Sequence, residues 1–258
     1  MKRDRGFALL IVLWLLVPVS TLLILMAGAA RTDTQLTSNL RSAAILRAAA
    51  DGGIETALPS LFTSVSVAPL RMQLNGADVS VQVASLSGLV NPNVVTPEFM
   101  RALLIRLGAP PPQAERIALA MLDWRLPGQQ TGAGRQKRAE YRAAGLDYAP
   151  PGAPFESADE VRYVLGMTPA LFAALRPLLT LYTDGPPNAA LAAPVVLAAL
   201  RDVGPAQPAA DRATVFAITA EARGAAGLRV IRRMTVKIGP SPNERPWRIL
   251  GWEDAPPA

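Results

Sequence analysis

The chain has no cysteine and no histidine among its 258 residues, and aromatic side chains make up only 5% of it. The first absence excludes disulfides, thiolate nucleophiles and cysteine metal sites; the second removes the imidazole base and the commonest zinc ligand. Lys2, Lys137 and Lys237 are the only lysines, and no phosphate-binding glycine loop, G-x-S-x-G or S-x-x-K pattern occurs. The paired acids Asp159 and Glu160 read as the exposed face of a helix start, where they complement the dipole. No enzyme chemistry is expected. What is abundant is apolar residues, 50%, together with 24 Pro and 19 Gly, a mixture that implies frequent chain breaks rather than disorder. The net charge of +6 would suit an acidic partner, a nucleic acid or an anionic membrane surface, and decides little alone.

The N-terminus is the exception to the scarcity of long runs. Lys2, Arg3 and Arg5 precede Gly6, and Phe7 opens an almost unbroken apolar stretch to Ala30. Such a stretch, at about 1.5 Å per helical residue, is long enough to cross a hydrocarbon core of about 30 Å. A secretory signal has a shorter core, and a plain signal anchor does not explain Gly6 between the charges and Phe7. Basic leader, Gly, Phe and some twenty apolar residues resemble the prepilin-like proteins. That resemblance implies cleavage after Gly6 by a prepilin peptidase and methylation of Phe7. Most of that family carry a glutamate five residues into the mature chain, where this sequence has Ile11. A carboxylate there needs a partner in the filament, so Ile11 points to a tip subunit, which has no neighbour above it.

Beyond Ala30, Leu36, Leu40, Ala43, Ala50, Ile54, Ala57 and Leu58 approximate a 3.6-residue period, so the membrane helix is expected to continue as an amphipathic one to about Pro59. Gly52-Gly53 should weaken its interior by about 1 kcal/mol per residue. Arg71–Leu74 and Asp78–Leu86 flank Asn75-Gly76, a strong hairpin signal, and Val79, Val81 and Val83 alternate with polar residues as on a half-wet strand. Thr214–Arg223 and Leu228–Ile238 repeat this about the turn Gly224–Gly227, with Arg232 breaking the apolar parity of the last strand. Between the hairpins, short helices are expected over Pro97–Leu107, Gln113–Trp124, Ser157–Leu165, Pro169–Leu178 and Ala193–Leu200. Thr96-Pro97 and Thr168-Pro169 read as caps followed by proline at the first helical position. A segment of that size is a second domain rather than a loop.

Within it, Gly88-Leu89-Val90-Asn91-Pro92-Asn93, Leu122-Asp123-Trp124, Phe155–Arg162, Val164–Pro169 and Leu175-Arg176-Pro177 resemble, in order and spacing, the G-x-hydrophobic-N-x-N, L-D-W, F-x-S-x-x-E-L-R, V-x-G-x-T-P and L-R-P blocks of the K-type minor pseudopilins of type II secretion. The resemblance implies an α+β fold: a transmembrane helix running on into a long helix packed on an antiparallel, pilin-like sheet, with an inserted all-helical, sterile-alpha-motif-like domain. The expected divisions are a leader at 1–6, a membrane helix at 7–30, the α/β body at 31–87 and 201–258, and the insert at 88–200. It also implies a single-pass inner-membrane protein, N-terminus cytoplasmic and body periplasmic. Its implied partners are the I and J minor pseudopilins, the major pseudopilin, the inner-membrane secretion platform and the prepilin peptidase.

Departures from the pattern bear on metal and partners. Many relatives read D-W-x-D-P-D where this chain has Asp123-Trp124-Arg125-Leu126-Pro127-Gly128, and a later acidic block survives only around Glu140-Tyr141. Calcium takes about six to eight oxygens, so Asp123 and Glu140 are remnants of a calcium site, or Asp123 is simply a helix-end acid. No other cofactor is implied. The second N-x-N-T-A-P block is reduced to Asn188 and Pro194. A rival reading takes Arg125, Arg135, Lys137, Arg138 and Arg142 with Trp124 and Tyr141 as a nucleic-acid surface, on the tip pilin of a type IV pilus or DNA-uptake system; a solvated arginine-rich loop is the simpler account.

Overall fold

The computed structural model describes residues 4–62, 68–126, 132–204, 214–224, 227–239 and 247–255, and within these the side chains at 4–11, 22–36 and 132–135 lie outside the description. A single helix, α1, runs from Asp4 to Ala57, about 80 Å at the helical rise. Pro18 lies inside it, and the Thr21 hydroxyl donates to the Val17 carbonyl at 2.8 Å. Among the described residues no helix is long and apolar enough to cross a membrane; most side chains of the expected 7–30 span lie outside those residues. The ones described are bare: Val12 to Val17 and Val19 are all more than half exposed.

The far end of α1 lies on a five-stranded antiparallel sheet of order β1-β2-β3-β4-β5, formed by Leu70–Leu74, Ala77–Ser85, Val215–Arg223, Arg229–Ile238 and Trp247–Asp254. Asn75 and Gly76 both have positive φ, 52° and 76°, the geometry of a two-residue hairpin turn, and pair Leu74 with Ala77. Leu46, Ala49, Ala50, Ile54 and Ala57 of the helix meet Val79, Val81, Phe216, Ile218, Ala220, Ala222, Met234 and Val236 in one core. The buried stripe starts at Leu46. Leu40, expected on it, is 63% exposed, because there the helix has not yet reached the sheet. Gly53 is where helix and sheet come closest: a Cβ there would lie 2.7 Å from Val79 Cγ1 and 3.1 Å from Val81 Cγ2. The glycine that costs local helicity therefore serves packing.

Arg232, the break in the strand's apolar parity, points at the helix. Its Nε donates to Asp51 Oδ1 at 2.8 Å and its Nη1 to Asp254 Oδ1 at 2.8 Å. The Trp252 indole N–H donates to the same Asp51 oxygen at 3.0 Å, and Arg47 pairs with Asp254. The fifth strand, absent from the sequence reading, supplies both Trp252 and Asp254 to this node.

Strands β2 and β3 are neighbours, Asp78 opposite Arg223 through Ser85 opposite Phe216, so the chain leaves the sheet after β2 and returns beside it. What it builds meanwhile is helical: α2 Pro97–Arg106, α3 Pro111–Arg125, α4 Gly132–Ala143, a 3-10 turn Ala158–Tyr163, α5 Pro169–Leu175 running into a 3-10 turn Arg176–Leu178, and α6 Pro194–Val203. A second core, including Leu103, Leu104, Ile117, Val161, Leu175 and Val196, holds these together. Thr96 and Thr168 accept from the amides of Phe99 and Leu171, each at 3.3 Å, as cap residues do. The structure corrects three expectations. Ser157–Leu165 is a tight 3-10 turn closed by a Ser157–Glu160 capping box rather than an α-helix. Pro177 turns the end of the expected 169–178 helix into a separate 3-10 turn. Helix α4, glycine-rich at its start and polar throughout, was missed because it carries little apolar period.

Candidate functional site

The insert is joined to the sheet by the residues of its entry motif, and each has a structural task. Ser87, 8% exposed, accepts with its hydroxyl from the amides of Thr214 and Val215 at 3.0 and 3.3 Å, clamping the exit strand to the departing one. Gly88 passes so close to the chain at Leu191 that a Cβ would stand 2.2 Å from that carbonyl oxygen. Val90 makes a short parallel bridge with Leu179. The buried Asn91 donates its amide to the carbonyls of Leu181 and Thr183 at 3.2 and 2.6 Å and accepts from Asn93 N at 2.9 Å. Asn93 exchanges two bonds with the Phe155 backbone, accepting from its amide at 2.8 Å and donating to its carbonyl at 2.9 Å. Asn188, the survivor of the shortened second block, accepts from Ala190 N at 2.9 Å and shapes the turn against which Gly88 fits. These asparagines replace secondary structure where the chain has none.

On the other side of the sheet from α1 the insert and the strands enclose an open cleft of about 750 Å³, with Gln82, Thr219 and Thr235 on the sheet side and Ser157, Arg176 and Tyr182 on the insert side. Tyr182 leans over Gly251, where a Cβ would meet its hydroxyl at 2.9 Å, and Asp184 pairs with Lys237 of β4. Asp159 accepts from Arg176 Nε at 2.9 Å and Arg162 Nη2 at 3.1 Å. The Arg176 bond foremost, and then the charges of both arginines, hold its carboxyl below the usual carboxylate range.

Of the residues singled out in the sequence, Gly6, Phe7 and Ile11 lie in the first turns of α1 with side chains outside the described residues. Trp124 and Tyr141 are core residues, 5% and 3% exposed. Trp124 stacks on Phe155, ring centroids 5.5 Å apart, and the Tyr141 hydroxyl accepts from Leu165 N at 3.1 Å, with burial pushing its pKa up to about 12. Asp123, at the end of α3, accepts from Lys137 Nζ at 2.6 Å, and Glu140 accepts from Gln136 at 3.3 Å. Among the described residues no three His, Cys, Asp or Glu side chains come together as a metal site. The sequence reading missed Ser87 and the Asp51–Arg232–Trp252–Asp254 node. Arg232, already noted as a break in parity, was its one visible signal.

Residues 76–184 match the family model of type II secretion system protein K, first domain. Over that segment, which includes most of the insert, the chain is similar to type II secretion system protein K. The matched segment opens at the β1–β2 turn and closes at Asp184, the residue paired with Lys237, so it holds β2 and the whole entry motif and stops short of α6. In fold, the chain is similar to the crystal structure of the GspK-GspI-GspJ complex from the enterotoxigenic Escherichia coli Type 2 Secretion System, a chain of which aligns over 87% of this protein and 99% of its own length, with a TM-score of 0.65 and 18% identity. No curated protein matches the chain in sequence.

Proposed function

We propose that the protein is a minor pseudopilin that forms the tip of a type II secretion pseudopilus and starts its assembly with I- and J-type minor pseudopilins, serving the export of folded proteins across the outer membrane. The observation that carries this reading is the match to the protein K model over 76–184, which takes in β2 and most of the helical insert, in a chain whose sheet is mounted on a 54-residue helix. The structural neighbour is itself part of a complex with GspI and GspJ, which supports the same class of partners here. The apolar, solvent-facing turns from Val12 to Val19 suit a helix first held in the inner membrane and then packed against the helices of other subunits. Cleavage after Gly6 frees Phe7, and Ile11 spares the tip a carboxylate that no neighbour above would neutralise. An insert of this bulk caps a stack of subunits rather than continuing it.

The DNA-binding alternative has less support. The rings of Trp124 and Tyr141 are consumed by the insert core and offer no face to a base, and Lys137 is engaged with Asp123. The test is co-purification of the full chain in detergent with I- and J-type minor pseudopilins of the same organism. A stable ternary complex is expected, with prepilin peptidase removing residues 1–6 from the parent and not from Gly6→Ala. Failure to bind either partner, or an unprocessed parent, overturns the reading.

A further inference from the structure

The end of α3 and the middle of α4 are linked by a cation that the chain itself supplies. Lys137 Nζ lies 2.6 Å from Asp123 Oδ1, with the lysine side chain only 19% exposed and the aspartate 41%. Between Asp123 and Glu140 the sequence holds no acidic residue, but Arg125, Arg135, Lys137 and Arg138. A calcium ion needs about six to eight oxygens at 2.3–2.6 Å, and among the described residues the donor set is one carboxylate already paired with an ammonium and a second, Glu140, bonded by Gln136. The sequence between the two acids is basic, a charge balance that penalises a divalent cation and rewards an anion. These residues do not fit calcium.

We propose that the Lys137 ammonium is the internal cation of this domain: it neutralises Asp123, ties α4 to α3, and makes the fold of the insert independent of divalent metal. The stem of Lys137 is covered while its charged head reaches the carboxylate, the arrangement that lets a lysine serve as both packing and counter-ion. Tyr141, one turn further along α4 and 3% exposed, receives the benefit, since its position depends on α4 staying in place.

The proposal does not depend on where in a filament the protein sits, and its test uses the full chain in detergent. After chelation, adding 1 mM calcium is expected to leave the melting temperature unchanged; a micromolar site would raise it by roughly 10 °C. Hydrogen exchange of the amides from 139 to 143 is expected to speed up roughly fivefold in Lys137→Met and to stay near the parent value in Lys137→Arg. A saturable calcium-dependent rise that Asp123→Asn abolishes overturns the proposal. So does unchanged exchange in Lys137→Met, and equal loss in Lys137→Met and Lys137→Arg would assign the effect to the stem rather than the charge.

Discussion

The helix-on-sheet body and the helical insert each bury their own apolar core, the insert's being the larger, and their chain segments are brought together by opposite means. In the body, close approach comes from absent side chains and long-range charge: Gly53 lets α1 settle on Val79 and Val81, and Asp51 reaches Arg232, 181 positions away. In the insert, where many segments have no regular structure, side-chain amides do the holding: Asn91, Asn93 and Asn188 bind backbone groups that no helix or strand satisfies. A buried backbone group must find a partner. The sheet and α1 meet that demand internally and can afford to touch through methyl groups, whereas the insert meets it with polar residues placed one by one. The body should therefore fail by separation of layers and the insert by loss of specific bonds.

The largest break in that contrast is a substitution at Gly88, where the two regions join. In Gly88→Ala the new methyl would overlap the Leu191 carbonyl, at 2.2 Å, and come within 2.8 Å of Ala192 N. Backbone atoms cannot swing aside as a side-chain end can, so the turn at Asn188–Ala192 must move, unseating Asn188. A loss of about 3 kcal/mol or more is expected, at the upper end for single substitutions, visible as a steep fall in soluble yield and melting temperature. A melting temperature within about 2 °C of the parent would show that the 188–192 turn is free to shift, and that the junction is looser than its packing implies.

A smaller effect is expected in the body. Arg232→Met keeps most of the stem volume but removes the guanidinium that binds both Asp51 and Asp254. Among the described residues, Asp51 is then left with the Trp252 indole bond. With the Arg232 side chain 15% exposed and Asp51 29%, the pair is partly screened, and about 1–2 kcal/mol of stability should be lost. Hydrogen exchange should quicken in the last turns of α1 and in β5 while α2 and α3 stay protected. Loss of protection spread evenly over both cores would instead mean that they unfold as one unit.

The contrast also explains which parts could be read from residues alone. Part of the insert's chemistry is local: the Thr96-Pro97 and Thr168-Pro169 caps act within a few positions, so their spacing marked two helix starts. The Asn75-Gly76 hairpin was legible for the same reason. Asn91 and Asn93, by contrast, bind backbone groups 62 to 92 positions away, and their task is invisible in the local sequence. Nothing local marked β5, since Trp247–Asp254 has no clean alternation and gains its place only by pairing with β4 across a register shift at Thr235/Val236. Helix α4 was hidden because it is anchored by one ion pair and one buried tyrosine rather than by an apolar stripe. The basic cluster was visible as composition, but that Trp124 and Tyr141 face inward depends on Phe155 and Leu165, many residues away.

The gentlest probe of the contrast is acid. Asp159 links the 3-10 turn to Arg176 beyond α5, and its carboxyl pKa is held below the ordinary value of about 3.9. A group whose folded pKa is depressed binds its proton more weakly when folded than unfolded. Its contribution is thus complete above about pH 4 and disappears as pH falls through the folded value. The side chain is 49% exposed, so solvent screens the pair and the contribution is small, a few tenths of a kcal/mol. Asp159→Asn should accordingly cost little at pH 7 and flatten the acid limb of insert stability below about pH 4, measured as melting temperature against pH with exchange in α5 as the local readout. The slope in the body, where Asp254 is likewise depressed by Arg232 and Arg47, should be untouched by that substitution. If Asp159→Asn altered both slopes equally, the ion pairs of the two regions would be coupled through the Tyr182–Gly251 and Asp184–Lys237 contacts, and the cleft between them would be a stiff joint rather than a boundary.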